Sequence, residues 1–563
     1  MSFLEDDRLS YVHGASDVPL IGSTLGDLLD RVAERYPEND ALVVCHQGVR
    51  LTYAGLRREC ERLARGLLAC GIGKGDRVGI LSPNWAECVL AQFGLPKIGA
   101  ILVNLNPASR TTELEYALAQ SGCSALILAP PLKTSDFAGL LGEICPELSA
   151  AAPGRLVSAR LPRLRTVITF GQPRIAGAYT WEEVVALGEG VPAEDLAAAQ
   201  RAQHFDDPIN IQYTSGTTGR PKGATLSHHS ILNNGFFIGE RMRLTEVDRL
   251  CIPVPFYHCF HMVLGNLACV THGATMVIPA PTFDPRKTLE AAEAERCTAL
   301  HGVPTMFIAE LGLPDFEAFD LSSLRTGIMA GSPCPIEVMK QVTTRMHMSE
   351  VTIAYGMTET SPVSFQTLPT DPLEKRVGTV GRVHPHVECK IVGPTSATLP
   401  RGETGELLSR GYLLMLGYWD NEEATRQAID AARWMHTGDL ATMDEEGFVR
   451  IVGRAKDMLI RGGENVYPRE IEEFLYGHPK VQDVQVIGVP DEKYGEEVMA
   501  WIVLKAGQTA TPDELREFCR GKIAHYKVPR YWRFTDTYPM TVSGKVQKFK
   551  MREMAIAELG LAT

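Results

Sequence analysis

YTSGTTGRPKG, at residues 213–223, is the stretch that decides the fold. It combines glycines with serine and threonine hydroxyls and two cationic side chains, and it contains no carboxylate that would repel an anion. An alternating apolar run through Ile209 and Ile211 precedes it, and a helical pattern begins near Ser227. A strand, a glycine-rich loop and a helix start are typical of α/β proteins that bind polyphosphate, because backbone N–H groups can approach the phosphates closely.

The loop does not follow the Walker A pattern. In that motif a Gly-Lys pair leads into Ser or Thr, whereas Lys222 lies between Pro221 and Gly223. An ordinary flexible loop is the alternative, but it would not require these residues at fixed offsets. The string resembles the phosphate loop of the adenylate-forming superfamily, which contains acyl-CoA synthetases, beetle luciferases and peptide-synthetase adenylation domains. The resemblance implies that ATP is bound by Thr214, Ser215, Gly216, Thr217, Thr218, Gly219 and Lys222.

Length and composition fit a large, loop-rich enzyme. The chain has 563 residues, 45% of them apolar, with 51 Gly and 35 Pro. A formal net charge of -12 argues against general nucleic-acid binding. The 13 cysteines contain no CxxC pair, so they indicate neither a disulfide framework nor a zinc ribbon, and they favour a reducing compartment. An acidic start without an apolar segment predicts a cytoplasmic protein, or a mitochondrial-matrix protein if a leader has been removed.

Residues 250–283 contain no Asp, Glu, Lys or Arg. A run of this length raises the question of a membrane span, but four prolines interrupt it. We therefore predict a buried helix over residues 260–271, a buried strand over 275–279 and no integral membrane segment. Aromatic residues before the helix favour an apolar pocket for the acyl chain of a carboxylic acid. The spacing of His258, Cys259 and His261 fits no standard zinc site.

Alternating helix and strand patterns occupy the first hundred residues. Helical spacing over 25–33 is followed by strand patterns over 41–44 and 77–81, with a second helical pattern between them. This alternation predicts an α/β fold of mostly parallel sheets flanked by helices. From residue 378 short strands and tight turns predict a distorted β-subdomain, and the remainder predicts a small, mobile α+β lobe. We expect domains at 1–455 and 456–563.

Two predicted strands end in polar motifs. Residues 325–330 lead into Gly331 and Ser332, and residues 351–354 lead into YGMTE at 355–359. Ligands of open α/β sheets bind at the carboxyl ends of strands, so both ends should border the phosphate loop. YGMTE resembles the nucleotide motif of the superfamily. The resemblance implies that Tyr355 stacks on adenine beside Gly356, that Thr358 contacts the α-phosphate, and that Glu359 holds Mg2+ and acts in catalysis with Thr214.

Motifs nearer the carboxyl end follow the order found in the superfamily. Asp439 in WMHTGDLA matches the carboxylate that binds both ribose hydroxyls, and Arg454 matches a residue that contacts ribose and phosphate. Lys456 matches the hinge on which the small lobe rotates. The resemblance further implies that Gly462 and Gly463 face CoA after rotation, and that Lys545 in PMTVSGKVQK is the catalytic lysine, which also contacts ATP.

The resemblance spans about residues 20–555 and implies an AMP-forming acyl-CoA synthetase. A carboxylic acid would react with ATP to give acyl-AMP and pyrophosphate, and CoA would then take the acyl group, with Mg2+ required. Medium-chain fatty acyl-CoA synthetases are the most similar branch, with His258, Gly302 and Val303 in the acyl pocket. An aryl-CoA ligase is the nearest alternative, and a luciferase-like oxygenase or a non-catalytic nucleotide-binding homologue would be a different class. The expected partners are small molecules, with a homodimer left open.

Overall fold

The computed structural model of the chain describes residues 8–132, 135–172, 174–214, 221–332, 334–462, 464–540 and 546–561. The α-helices found in these ranges are α1 Leu25–Arg35, α2 Tyr53–Ala69, α3 Ala86–Gly94, α4 Thr111–Ser121, α5 Phe137–Ile144, α6 Trp181–Leu187, α7 Ala193–Arg201, α8 His228–Met242, α9 Ala268–His272, α10 Pro285–Ala294, α11 Pro304–Leu311, α12 Ile336–Arg345, α13 Leu373–Gly378, α14 Glu422–Ala428, α15 Pro468–Tyr476, α16 Pro512–Cys519 and α17 Lys548–Leu559.

The strands found in the same ranges are β1 Tyr11–His13, β2 Asp40–Val44, β3 Val49–Thr52, β4 Arg77–Leu81, β5 Ile101–Leu105, β6 Ala125–Leu128, β7 Thr166–Thr169, β8 Tyr179–Thr180, β9 Pro208–Thr214, β10 Lys222–Ser227, β11 Arg249–Cys251, β12 Thr275–Ile278, β13 Ala299–Gly302, β14 Thr326–Ala330, β15 Glu350–Gly356, β16 Val363–Gln366, β17 Arg382–Val383, β18 Val387–Val392, β19 Gly405–Gly411, β20 Gly417–Tyr418, β21 Met435–Met443, β22 Val449–Arg454, β23 Leu459–Arg461, β24 Glu464–Val466, β25 Val481–Asp491, β26 Gly495–Leu504 and β27 Tyr531–Phe534.

Two large sheets are mostly parallel. One has eight strands in the order β20-β10-β9-β5-β4-β6-β7-β8, and the other has nine in the order β17-β16-β15-β14-β13-β11-β12-β2-β3. Strands β9 to β8 of the first sheet are parallel, as are β15 to β2 of the second, and antiparallel pairs occur at the edges. Both sheets bury nearly continuous apolar strands beneath helices, as in β5, where all five residues are buried. The predicted α/β class is confirmed.

Two smaller sheets complete the chain. The antiparallel sheet β1-β18-β19-β21-β22 corresponds to the predicted β-subdomain. The carboxyl-terminal lobe has its own sheet, β24-β23-β26-β25, to which β27 adds by parallel pairing with β26. An apolar core within this lobe is separate from the core of the large sheets and includes Val484, Val486, Val498, Ile502 and Leu515. The predicted small α+β lobe is therefore confirmed.

The charge-free segment folds inside the large domain. Its helix begins at Phe260 as predicted, but residues Phe260–Leu267 form a π-helix before α9 continues the same path. All eight π-helical residues are buried, so no polar face marked the change of period in the sequence. Strand β12 lies where a buried strand was expected. Across the residues described, we find no helix with both the length and the apolar character that crossing a membrane requires.

The arrangement around the phosphate loop differs from the prediction. After β9 and the loop the chain forms β10, which pairs antiparallel with β9 and places Lys222 opposite Thr214. Helix α8 begins only after β10, with Ser227 as its N-cap. Strands β9 and β10 therefore form a hairpin that was not predicted, whereas the predicted helix start near Ser227 is confirmed. Gly223 permits this close pairing, because a Cβ there would lie 2.9 Å from Cγ2 of Ile211.

Candidate active site

Three neighbouring parallel strands end at one edge of the nine-stranded sheet. Gly302 at the end of β13 is in register with Met329 of β14, and Ala330 of β14 is in register with Ala354 of β15. Residues that follow these strands therefore lie next to one another. The predicted site residues placed at this edge are Gly302, Val303, Gly331, Ser332, Tyr355 and Gly356.

Two of these positions require glycine. Gly331 has φ of +90°, a conformation that side-chain-bearing residues rarely adopt. At Gly356 a Cβ would lie 1.8 Å from the carbonyl oxygen of Pro362, on the chain that returns as β16. The tight return brings the YGMTE turn back onto the sheet edge, where the Met357 N–H donates to the same Pro362 oxygen at 3.0 Å.

Glu359 connects the YGMTE turn to the hairpin. Its side chain is buried, and the Thr214 hydroxyl donates to Glu359 Oε1 at 3.4 Å. The Tyr418 hydroxyl donates to the same oxygen at 2.7 Å. The Lys222 ammonium lies 5.0 Å from the centre of the Tyr418 ring. The structure thus brings the predicted residues Thr214, Lys222 and Glu359 together and adds Tyr418, which was not predicted as a site residue.

The oxygen atoms at this point suit a hard cation. Glu359 supplies a carboxylate and Thr214 a hydroxyl, and Mg2+ is usually held by one or two carboxylates together with substrate phosphates. The residues therefore fit Mg2+. By contrast, within the residue ranges described, no group of three or more His, Cys, Asp and Glu side chains is arranged to hold a metal ion.

Asp439 lies where the antiparallel sheet meets the edge of the nine-stranded sheet. It is opposite Arg454 in the pairing of β21 with β22, and Arg454 Nε lies 3.4 Å from Asp439 Oδ1. The Tyr355 hydroxyl donates to Asp439 Oδ2 at 2.5 Å. Burial raises the pKa of the Asp439 carboxyl, and Arg454 and the Tyr355 hydroxyl partly offset that rise. Burial also raises the pKa of Tyr355 well above its ordinary value, so Tyr355 remains a donor.

Lys456 lies two residues beyond Arg454, on the connection between the antiparallel sheet and the small lobe. Burial lowers the pKa of its ammonium group, the neighbouring Arg454 adds to this effect, and Asp457 and Asp439 oppose it. The Ala455 N–H donates to the Gly438 carbonyl at 3.0 Å. The predicted hinge residue is therefore held close to the Asp439 site.

His258 is carried by the segment between β11 and the π-helix. Its Nδ1 accepts the Phe260 N–H at 3.2 Å, so a neutral His258 has its proton on Nε2. Next to it, Cys259 Sγ lies 3.6 Å from the Thr358 hydroxyl oxygen. This contact joins the predicted acyl-pocket segment to the YGMTE turn.

Asn84 fixes this segment and was not predicted as a site residue. It follows β4, and its side chain is buried. Asn84 Nδ2 donates to the Val254 carbonyl at 2.9 Å, and Asn84 Oδ1 accepts the Phe256 N–H at 2.7 Å. The sequence offered one signal for this role, a polar residue close to the end of a buried strand. It could not show the partners of Asn84, because they lie about 170 residues away in the sequence.

The remaining predicted residues divide into two groups. Gly462 is at the turn between β23 and β24 with φ of +59°, and its N–H donates to the Tyr494 carbonyl of the same lobe at 2.9 Å. Seven predicted residues lie outside those that the structure describes, namely Ser215, Gly216, Thr217, Thr218, Gly219, Gly463 and Lys545.

Known proteins resemble the chain over nearly its whole length. The AMP-binding enzyme family matches residues 29–419, and the AMP-binding enzyme C-terminal domain matches residues 470–545. YngI of Bacillus subtilis (strain 168), provisionally named an acyl-CoA synthetase, is 53% identical over 545 residues, which cover 97% of this chain and 99% of YngI. The human mitochondrial medium-chain acyl-CoA ligase ACSF2 is 47% identical over 561 residues, covering 98% and 91%. The crystal structure of the anthranilate CoA ligase AuaEII in complex with anthranoyl-AMP has a TM-score of 0.86 at 28% identity, covering 97% and 99%.

Proposed function

The chain belongs to the AMP-binding enzyme family, and we propose on that basis that it is an AMP-forming acyl-CoA synthetase whose acid is a medium-chain fatty acid. ATP and CoA are its other substrates. The observation that carries the proposal is the meeting of three motifs from distant parts of the chain, since Thr214 and Tyr418 both donate to Glu359. An oxygen-rich site of this kind, next to a glycine-rich loop with a lysine, suits a nucleotide polyphosphate.

In the first half-reaction the acid carboxylate attacks the α-phosphorus of ATP. A bond forms between the carboxylate oxygen and phosphorus, and the bond to pyrophosphate breaks. Lys222 and Lys545 would stabilise the charge that develops on the phosphoryl oxygens, because fixed donors and cations there favour the transition state. Mg2+ held by Glu359 would add positive charge at the phosphates. No side-chain nucleophile is required, since the acid itself attacks.

The nucleoside would be held by Asp439. One carboxylate offers two oxygen atoms to two vicinal ribose hydroxyls. Tyr355 contacts one of these oxygens and Arg454 lies near the other, which fixes the orientation of the carboxylate before the nucleotide arrives. We assign the adenine contact to the Tyr355 ring, with Gly331, Ser332, Gly356 and Thr358 around the base and the α-phosphate.

In the second half-reaction the CoA thiol attacks the acyl carbonyl, and AMP leaves. We propose that the lobes, 1–455 and 456–563, rotate about Lys456 between the two steps. Rotation would withdraw Lys545 and bring the hairpin with Gly462 and Gly463 to the acyl-adenylate. Closure of the site matters in both steps because water would hydrolyse the mixed anhydride.

The acid pocket is assigned to the charge-free segment and its neighbours. His258, Gly302 and Val303 would line it, and the buried π-helix behind them offers apolar side chains rather than a charge for an amino-acid ammonium group. The ACSF2 relative is named for medium-chain acids. We further propose a reducing compartment, the cytoplasm or the mitochondrial matrix, since all 13 cysteines carry thiols in the structure.

A substrate panel tests the function. Pyrophosphate release is measured with acetate, octanoate, hexadecanoate and benzoate, each with and without CoA. We expect octanoate to give the highest kcat/KM, and thioester to form only when CoA is present. A maximum with benzoate would favour the aryl-CoA alternative, and the absence of pyrophosphate release with every acid would contradict the proposal.

A further inference from the structure

The segment that contains Tyr418 binds both halves of the nucleotide site through its backbone. The Met415 N–H donates to the main-chain carbonyl of Glu359 at 2.9 Å. Four residues later, the Trp419 N–H donates to the Gly223 carbonyl at 2.7 Å, within the pairing of β20 with β10. Tyr418 is therefore fixed between the YGMTE turn and the phosphate-loop hairpin, on β20 at the end of the eight-stranded sheet.

The side chain of Tyr418 repeats this connection. Its hydroxyl donates to Glu359 Oε1 at 2.7 Å, and the Thr214 hydroxyl donates to the same oxygen at 3.4 Å. Because both donors engage Oε1, they turn this oxygen towards the hairpin and the other oxygen of the carboxylate away from it. The same Tyr418 ring lies 5.0 Å from the Lys222 ammonium, a distance at which a cation and an aromatic face attract each other.

We propose that Tyr418 is a positioning residue for the divalent cation that accompanies ATP. It holds one oxygen of Glu359 so that the other is presented to the cation, and its ring restrains Lys222 beside the phosphates. The inference rests on the proposed function, because it takes Glu359 as the residue that holds Mg2+. A hydroxyl that donates to a metal-binding carboxylate orients the ligand and tunes it, and removal of such a contact costs about 10- to 100-fold in metal affinity.

The test is the Mg2+ dependence of ATP binding in Tyr418→Phe. Titration calorimetry with ATP is run on the full-length chain at a series of free Mg2+ concentrations and without any acid. We expect the Mg2+ concentration that gives half of the gain in ATP affinity to rise about tenfold in Tyr418→Phe. A matched control is Tyr412→Phe, which removes another hydroxyl of the same region, 3.5 Å from Asn234 Nδ2, and should retain the wild-type value.

A second variant separates positioning from packing. In a Glu359→Gln background, Tyr418→Phe should cause no further change in the Mg2+ dependence, because the carboxylate that it positions is gone. An unchanged Mg2+ dependence in the single variant, or an equal shift in both backgrounds, would overturn the proposal. If the wild-type chain binds ATP with Mg2+ but no acid releases pyrophosphate, the proposed function fails, while the calorimetric comparison still decides the role of Tyr418.

Discussion

Glu310 and Asp439 are both buried carboxyl groups, but only Asp439 has partners. Tyr355 and Arg454 lie against the two oxygens of Asp439. Glu310 is on α11 with a side chain only 1% exposed, and neither of its carboxyl oxygens has a hydrogen-bond partner in the described structure. Burial raises the pKa of the Glu310 carboxyl well above its ordinary value. A carboxyl group of this kind stays protonated in the folded chain at neutral pH. Its burial lowers the free energy of unfolding, and we do not assign Glu310 to a binding site.

Glu310→Gln should therefore stabilise the protein in a pH-dependent way. Below about pH 4, glutamic acid is protonated in both folded and unfolded states, and the variant and the wild type should melt at similar temperatures. As pH rises, the unfolded wild type loses this proton while the folded form keeps it, so its free energy of unfolding falls relative to that of the variant. Melting temperatures measured at pH 5 and pH 8 should show a difference that grows by a few degrees with pH. Glu403→Gln, at an exposed position, should show no such growth, and a constant difference would contradict the assignment.

Asp439→Asn tests the ribose contact. Asparagine keeps the shape of the side chain but has a single acceptor oxygen, so one of the two ribose hydroxyls would lose a charged partner. We expect KM for ATP to rise about tenfold or more, since a hydrogen bond to a charged group contributes about 1.5–3 kcal/mol. Pyrophosphate release as a function of ATP concentration measures this change. Asp444→Asn, in the turn between β21 and β22 and paired with Lys375, is the control, and equal KM values in the two variants would exclude Asp439 as the ribose ligand.

At the scale of elements, segments with a regular spacing of apolar residues were predicted correctly. Segments whose conformation depends on distant neighbours were not. Helix α1 and strand β4 appear at the predicted places because each has an uninterrupted pattern of apolar residues. Strand β10, with the sequence KGATLS, lacks large alternating residues, and pairing with β9 and β20 determines its conformation. In the same way Thr214 and Glu359, which the structure brings together, could be singled out from their motifs, whereas Asn84 and Tyr418 could not, because their contacts depend on which distant loops fold beside them.

Gly356→Ala tests the tight return between β15 and β16. The register of this pair shifts between Tyr355 and Gly356, and a Cβ at 356 would lie 1.8 Å from the Pro362 carbonyl oxygen. Strand β16 must then move, which should lower the free energy of unfolding by about 1–3 kcal/mol and displace Glu359. The temperature of thermal unfolding and the rate of pyrophosphate release should both fall. Gly190→Ala, at a position with open space around the added carbon, should leave both close to wild type, and equal behaviour of the two variants would contradict the steric argument.

At the scale of the whole molecule, the proposed reaction requires both lobes. The residues that we assign to the nucleotide belong to the large sheets and the antiparallel sheet. Arg469 of α15 connects the small lobe to the antiparallel sheet, because its Nη1 donates to the Ile451 carbonyl at 3.0 Å. Glu473, one turn along α15, has a raised pKa because of burial, although Arg469 and the N–H of Ile336 partly offset it. Polar contacts of this kind can be exchanged for others, as the proposed reaction with two lobe orientations requires.

Lys456→Pro should block the passage between the two orientations. Proline fixes φ near about −65° and removes the N–H, so the connection after β22 could no longer take up a large change of dihedral angle. We expect pyrophosphate release in a single turnover to stay within a few-fold of wild type and thioester formation from supplied acyl-AMP to fall about 100-fold or more. Normal thioester formation in this variant would remove Lys456 as the hinge.

Lys545→Ala should give the opposite pattern. Lys545 precedes the isolated bridge between Val546 and Met540 and is assigned to the charge that develops in the first half-reaction only. Its loss should reduce acid-dependent pyrophosphate release about 100-fold or more, since one fixed donor at such a site contributes roughly 2.7–4 kcal/mol, and should leave thioester formation from supplied acyl-AMP near wild type. Measuring both half-reactions in both variants makes each the control of the other. Equal losses in the two half-reactions of Lys545→Ala would mean that this lysine supports the fold of the small lobe rather than the chemistry, and that the lobes do not alternate as proposed.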